Sequence, residues 1–337
     1  MSTTITHGDP SLAAASPPPP KRRTARASSV LVYLSPVAMF VVLTLTTPGV
    51  LSTTGVMSLL VLASVLGLAA VGQTWAVMIG GIDLSIPATI GMANVLVTTL
   101  YAEGWGFPRI VLLVVVVSLA IGTANGLLSS LFGLHPLVVT LGMASLVTGS
   151  VLVATDGNTG GDVPGFITDA VSPVGSVWGI GVPAAVILWL ATLAVVLLVE
   201  RRTVFGRRLY ALGSNERAAR LALVRPVVVR VVVYSVGALC ASAAGVLLAG
   251  FSGGASVSIG DPYLFSTITA VVVGGTSLLG GAGTYARTVA GVLVTTMFTT
   301  LLVGLEIGPN MQQVMLGVAI LLLITVYGRD RHVAQRL

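Results

Sequence analysis

The chain has 337 residues, 55% of them hydrophobic and only 8% charged, with a formal net charge of +6. Soluble domains carry about 25% charged residues, so this composition excludes an ordinary water-soluble fold. The positive balance does not point to nucleic acid either, because the cations gather at the ends of apolar runs and form no basic stripe.

Residues 1–29 are polar, with four prolines at 17–20 followed by Lys21, Arg22, Arg23 and Arg26. They read as a disordered, basic N-terminal tail. No small-residue cleavage site stands out, so the first apolar run is expected to stay as a helix and not to leave as a signal peptide. Lys21 is the only lysine. A Gly-x-x-x-x-Gly-Lys-Ser/Thr loop, whose lysine must reach the phosphates, therefore cannot exist here. The chain is not expected to hydrolyse ATP, and no cofactor is expected in it.

Apolar runs near the length that spans a bilayer as helix, about 20 residues, follow at 30–47, 56–79, 86–102, 110–132, 137–154, 184–199, 231–251, 266–281, 288–305 and 311–327. The expected fold is an all-α polytopic membrane protein of about ten transmembrane helices with both termini cytoplasmic. A β-barrel would alternate polar and apolar residues over short segments, whereas 111–120 is apolar except for Ser118. The expected divisions are the tail 1–29, a membrane domain 30–327 with an inner loop at 201–230, and a cytoplasmic C-terminal tail 328–337. The weakest span is 266–281, which is short and glycine-rich. Broken backbone at membrane depth is tolerated only beside protein or a water-filled cavity, which places this segment near the centre of the molecule.

With the tail inside, every cationic side chain except Arg109 falls on the cytoplasmic side, while Glu103, Asp156, Asp162, Asp169, Asp261 and Glu306 fall outside. That asymmetry follows the positive-inside rule. The loop 201–230 holds Arg201, Arg202, Arg207, Arg208, Arg217, Arg220, Arg225 and Arg230. Each would cost about 2.5 kcal/mol or more at the midplane, so the loop must lie in water. The single Cys240 falls inside an apolar run, and His7, His135 and His332 are far apart in sequence, so no disulfide within the chain, and no cysteine or histidine metal site, is expected.

Gly80-Gly81-Ile82-Asp83-Leu84-Ser85 sits where a span meets the cytoplasmic side. Two glycines permit a bend and a close approach. Asp83 or Ser85 can cap the helix beginning at Ile86, with Pro87 suited to its first turn. A direct ligand or proton role for Asp83 is the less favoured reading. An internal echo pairs Ala76-Val77-Met78-Ile79-Gly80-Gly81 with Ala270-Val271-Val272-Val273-Gly274-Gly275, the pattern of a duplicated unit or of chance between two apolar sequences.

These motifs, in order, resemble the ribose-type permeases of bacterial ABC importers. Gly81-Ile82-Asp83-Leu84-Ser85 matches that family's signature, and Asn125-Gly126 matches its fourth-span pair. Pro136-Leu137-Val138-Val139-Thr140-Leu141-Gly142, Gly206-Arg207-Arg208-Leu209-Tyr210-Ala211-Leu212-Gly213-Ser214-Asn215-Glu216 and Ala270-Val271-Val272-Val273-Gly274-Gly275-Thr276-Ser277-Leu278 match in register over residues 30 to 327. Four places depart from it. Ile86-Pro87 replaces Val-Gly. Tyr263-Leu264-Phe265-Ser266-Thr267-Ile268 lacks the family's acid after the tyrosine. Arg287 replaces a glycine, and Leu221-Ala222-Leu223-Val224 replaces Leu-Ser-Gly-Ile.

The resemblance implies a bacterial inner-membrane permease subunit for a monosaccharide or similar small polar solute. Its implied partners are a separate ABC ATPase, which would bind ATP and Mg, an extracytoplasmic solute-binding protein, a second permease copy and the lipid membrane, with no nucleic acid. It implies that 205–223 contains a short coupling helix that docks on the ATPase. The residues Phe205, Gly206, Arg207, Leu209, Tyr210, Ala211, Gly213, Ser214, Asn215, Glu216 and Ala219 would form that docking loop. Phe205, Leu209 and Tyr210 are candidate apolar anchors, and Ser214 or Asn215 is a candidate cap for a helix over 216–221. The bland reading is a solvated basic loop beside anionic headgroups.

Candidates for the translocation path or its gate are the polar side chains Gln73, Asn94, Asn125 and Thr140 inside the spans, with Asp83, Ser85, Gly274, Gly275 and Thr276 at their edges and Ser145, Thr148, Ser242, Thr267, Thr269, Gln312 and Gln313 behind them. Neutral donors and acceptors suit an uncharged polyhydroxylated solute, although each alone also reads as interhelical packing. Trp75 beside Gln73 could stack on a sugar or simply pack. Permeases for branched-chain amino acids or nucleosides are the nearest alternatives. An ion-gradient transporter would place ionisable groups deep in its spans, and a membrane enzyme would need a catalytic set that no facing spans supply.

Overall fold

The computed structural model describes residues 22–157, 160–176 and 179–334, and its regular elements there are helices. In chain order they are α1 (Arg22–Thr46), α2 (Thr53–Met78), α3 (Ile86–Ala102), α4 (Phe107–Leu131), α5 (Pro136–Ala154), α6 (Gly165–Val171) and α7 (Ala184–Arg202). They continue with α8 (Val204–Ser214), α9 (Glu216–Leu221), α10 (Pro226–Ser252), α11 (Pro262–Val273), α12 (Tyr285–Gly304) and α13 (Pro309–Ala334). Six of them, α2, α4, α5, α7, α10 and α12, are long and apolar enough to cross a membrane, and shorter apolar helices cover Val30–Thr46, Ile86–Ala102, Val257–Val273 and Pro309–Leu322. Proline opens the first turn of α3, α4, α5, α10 and α11, where its missing N–H leaves no helical bond unmade.

Residues 1–21, most of the expected tail, lie outside the described residues. The backbone of α1 takes in 22–29 as well, and α13 runs on to Ala334 through most of the expected C-terminal tail.

The central strut is α10. Glycines let its neighbours press backbone to backbone. Gly122 and Gly126 of α4 meet Ser235 and Val231, Gly72 of α2 meets Gly237, and Gly245 meets the Ile90 carbonyl of α3. A Cβ at any of these would collide with main-chain atoms. Ser118 and Ser242 share a buried hydrogen bond of 2.5 Å across α4 and α10. Small residues at four-residue spacing, with a hydroxyl bond beside them, are how helices associate where lipid removes the hydrophobic driving force.

This register also measures depth. The 27 residues of α10 rise about 40 Å. Gly81 and Asp83 lie by Tyr234 and Gly237, Ile90 by Gly245, and Ile167 of α6 by Gly250 near the C-terminal end of α10. After α10 closes in the left-handed Gly253, the chain dives back along α3. Ser256 N donates to Asn94 Oδ1 at 2.8 Å, the Val257 carbonyl abuts Gly91, and Gly260 abuts the Pro87 backbone. Only then does α11 begin. Its 12 residues rise about 18 Å, little more than half of a hydrocarbon core of about 30 Å.

Two expectations are corrected here. The expected short, broken span 266–281 is shifted: its helix is Pro262–Val273, preceded by a 3₁₀ turn at Val257–Gly260 and followed by the glycine-rich turn 274–284. Asp261 does not sit at the outer surface, because it follows Gly260, which packs on the first turn of α3.

The echo between α2 and α11 is geometric as well as sequential, with a register one residue off the sequence match. Gly81 N bonds Ala76 O and Gly80 N bonds Val77 O, while Thr276 N bonds Val271 O and Gly275 N bonds Val272 O. Both helices thus end in the same motif, with a left-handed glycine, Gly80 at φ 80° and Gly275 at φ 75°, satisfying the terminal carbonyls. Gly80 therefore corresponds to Gly275, not to Gly274.

Candidate functional site

Two constellations stand out, both near the ends of α2 and α11. The first is a buried polar knot between α2 and α3. Asp83, 2% exposed, accepts from Ser85 N at 2.9 Å and from Ser85 Oγ at 2.5 Å. Asn125 Nδ2 of α4 donates to Ser85 Oγ at 2.9 Å. Thr140 Oγ1 of α5 accepts from Leu84 N at 3.0 Å and donates to Ile82 O at 3.2 Å. The sequence expected Asp83 or Ser85 to cap α3. Ser85 occupies the N-cap position but makes no capping bond, its hydroxyl being turned back to Asp83. The knot ties the α2–α3 turn to α4 and α5, which accounts for a carboxylate in this place.

The second constellation is the seat of the inner loop. Here α8 starts at the Thr203 N-cap, whose Oγ1 accepts from Gly206 N at 3.2 Å. Asn215 caps α9 by accepting Ala218 N at 3.0 Å, so of the two candidate caps Asn215 is used, and Ser214 instead bonds back to Tyr210 O at 2.8 Å. Gly213 fits against the Met78 carbonyl at the end of α2, where Gly281 N also donates at 2.9 Å. Any side chain on Gly213 would strike that carbonyl. Tyr210 Oη donates to Gly283 O at 2.9 Å. Burial, and next the nearby Glu200 carboxylate, push the Tyr210 phenol up to about 12, so it remains a donor. The loop thereby touches both the end of α2 and the glycine-rich turn that links α11 to α12.

Of the expected partner anchors, Leu209 is turned into the chain itself, while Phe205 and Tyr210 are half-buried. Leu209 is fully buried in the chain's own core, and Phe205 stacks on Trp75 with ring centroids 5.4 Å apart. Gly206 and Ala219 are buried too, while Ala211 and Gly213 are half-buried. The outward face is instead Arg207, Arg208, Ser214, Asn215, Arg217 and Arg220, with Leu221 and Leu223 at 83% and 88% exposure. Glu216 is clamped by Arg220 Nη2 at 2.7 Å and Arg230 Nη2 at 2.6 Å. Burial acts to raise its carboxyl, but the bonds and charges of the two arginines outweigh it and hold it below the ordinary value.

Sequence reasoning missed Glu200. It is 4% exposed on α7 and accepts from Trp75 Nε1 of α2 at 2.9 Å and from Tyr285 N of α12 at 3.2 Å through each of its oxygens. Tyr285 Oη in turn donates to Gly67 O at 2.7 Å and accepts from Trp189 Nε1 at 3.0 Å. The signal was the lone acid in the apolar run just before Arg201-Arg202. Trp75, expected either to stack on solute or to pack, packs.

The remaining path candidates are dispersed. Gln73 is wholly buried, and neither amide atom has a hydrogen-bond partner. Asn94 holds the segment 253–260. Gly274 presses on Arg287 O, and Thr276 is buried with an unpartnered hydroxyl. Three cavities in the bundle are lined by mostly apolar residues, and of the polar path candidates Ser242 alone borders one, a cavity of about 220 Å³ with Val111, Val114, Ser118 and Leu239.

Residues 55–324 match the family described as branched-chain amino acid transport system / permease component. A ribose import permease protein of Bacillus subtilis is 31% identical over 258 residues, covering 76% of this chain and 79% of its own. An autoinducer 2 import system permease protein of Salmonella paratyphi B is 32% identical over 269 residues, 80% of this chain and 77% of its own. A second ribose import permease, from Haemophilus influenzae, is 28% identical over 261 residues, with coverage of 77% and 80%. No solved structure matches. The motif series, the apolar helices and these matches agree, and the chain belongs to this permease family, the inner-membrane transport subunits of ABC importers whose ATP is hydrolysed by a separate subunit.

Proposed function

We propose that two copies of this chain form the transmembrane path of an importer for a monosaccharide or a similar small hydroxylated solute. Ten membrane-crossing segments with both termini in the cytoplasm would place 201–230 inside and the 156–183 loop, with α6, outside. An extracytoplasmic binding protein hands solute to the outer face. ATPase subunits, which hold ATP and Mg, dock on the outward face of α8 and α9. The relatives named for ribose and autoinducer 2 import support the solute class, as does an interior whose polar groups are largely neutral.

The observation that carries the reading is the seat of Gly213. The docking loop rests on the ends of α2 and of the α11–α12 turn with no compressible side chain between them. Close-packed main chain transmits displacement, so a movement of α8 by the ATPase moves both turns at once.

Reconstitution tests this. Radiolabelled ribose should enter proteoliposomes only when the chain is joined by its ATPase, its binding protein and ATP. Gly213→Pro should insert normally yet fail to co-purify with the ATPase. Uptake by the chain alone, without ATP, would overturn the proposal.

A further inference from the structure

The irregular segment before α11 carries a polar surface where lipid cannot be its neighbour. Ser258 and Asp261 are exposed on the single chain. Gly260, between them, packs on the Pro87 backbone. Pro87 lies between Asp83, which sits by Gly237, and Ile90, which sits by Gly245. Gly237 and Gly245 flank the middle of α10, so Asp261 stands near half-depth. An ionised carboxylate at half-depth is tolerated only against water or a partner group. As residue preceding Pro262, Asp261 makes no capping bond, and no ion pair holds it among the described residues.

A second observation points to the same surface. Asn94 is completely buried against this segment. Its Oδ1 accepts from Ser256 N at 2.8 Å, yet its Nδ2 has no partner. Ser256 Oγ and Ser258 Oγ lie 3.2 Å apart on the same stretch. Donors, acceptors and one carboxylate thus line the 3₁₀ turn Val257–Gly260 and the first residues that join it to the 12-residue α11, an interrupted helix of the kind that transporters place beside their solute.

We propose that 256–261 forms the wall of the aqueous solute path at half-depth, and that Asp261 is a specificity-determining residue whose carboxylate accepts hydrogen bonds from hydroxyl groups of a neutral solute. The solute part rests on the function proposed above; the path part does not. Charge-assisted bonds from hydroxyl to carboxylate are short and strong, and the neutral neighbours Asn94, Ser256 and Ser258 complete a set suited to several hydroxyls.

The test uses the full chain with its partners, in a Cys240→Ala background. Ser258→Cys and Asp261→Cys are exposed to a membrane-impermeant, positively charged methanethiosulfonate, with Val318→Cys on exposed α13 as a lipid-facing control. Only thiolate in water reacts readily, so both should be labelled about tenfold faster than the control. Labelling no faster than the control, or a disulfide between two copies at either position, would overturn the path assignment. Uptake of radiolabelled ribose gives the second arm. Asp261→Asn should raise KM by about tenfold with kcat little changed, the loss of one hydrogen bond to a charged group. An unchanged KM would overturn the specificity role. Labelling as expected in a protein whose wild type takes up no ribose would leave the path in place and refute the solute class alone.

Discussion

The two places where this bundle breaks its helices are built in opposite ways. At the seat of α8, Gly213, Gly280 and Gly281 bring main chain against main chain, and the polar backbone is satisfied internally, as by Gly281 N to Met78 O at 2.9 Å. At the break before α11, polar side chains are left open or half-satisfied, as Asp261 and Asn94 are. A contact that passes on a push needs incompressible packing, whereas a surface that holds a solute briefly needs donors and acceptors without permanent partners. The same device, irregular backbone at a helix end, serves both purposes through what surrounds it.

The largest effect should come from filling the seat. Gly213→Val must displace the end of α2, since even a Cβ meets the Met78 carbonyl. Overpacking of this kind costs about 1–3 kcal/mol, and here the cost falls on the contact itself. Uptake should drop to background and the ATPase should no longer co-purify, while membrane insertion persists. Wild-type uptake by this variant would show that the seat is soft, and the contrast between the two regions would fail.

Next comes Glu200, which ties α2, α7 and α12 together behind the seat. Glu200→Ala leaves the indole of Trp75 and the amide of Tyr285 buried without acceptors, at about 1–3 kcal/mol for each unsatisfied group. The melting temperature of the detergent-solubilised protein should fall by several degrees, and Glu200→Gln, which keeps an acceptor oxygen, should recover much of the loss. Equal melting of the alanine and glutamine variants would show that the carboxylate's bonds do not hold the seat.

What could be read beforehand follows the same division. The expected run 86–102 is α3 residue for residue, and 137–154 misses α5 only by its opening proline. Apolar length and helix-start chemistry are local, and so they are visible in sequence. The span 231–251 begins five residues late because Arg230 and Pro226 are helical though polar or restrictive. The position of 253–260 was hidden for a different reason. Its depth is set by Val257 meeting Gly91 of α3 and Gly260 meeting Pro87 of α3, and no local pattern encodes that register. Leu209 read as a partner anchor although it is buried in the chain's own core, because sequence shows amphipathic character without showing which body the apolar side faces. The cap at Asn215 was legible as one of two candidates, and geometry chose between them.

A smaller effect would sharpen the outward side of the seat. Leu223 has φ 59°, a left-handed conformation that costs a residue with a Cβ about 1–2 kcal/mol. It stands at the close of α9, with Val224 N bonded to Ala219 O. Leu223→Gly should therefore raise the melting temperature slightly. The same change removes an apolar side chain that is 88% exposed, so ATPase affinity should weaken. If affinity is unchanged, the partner touches the arginines of this face and not its leucines.

The smallest effect is pH-dependent and confined to α9. Glu216 has a lowered pKa in the folded chain because Arg220 and Arg230 hold its ionised form. Its contribution is therefore fully present above the ordinary glutamate value and is lost as pH falls through the lower, folded value. The Arg220 pair is exposed and joins residues four apart, worth about 0.3–0.5 kcal/mol. The Arg230 side chain is only 16% exposed and should carry more of the effect. The protection of α9 amides, their exchange rate relative to the intrinsic rate at the same pH, should fall on acidification from pH 7 through the lowered folded value, and Arg230→Gln should remove most of that dependence while Arg220→Gln removes little. The reverse order would mean that α9 is held by its own surface pair, and that the loop is not anchored to the start of α10 through Glu216.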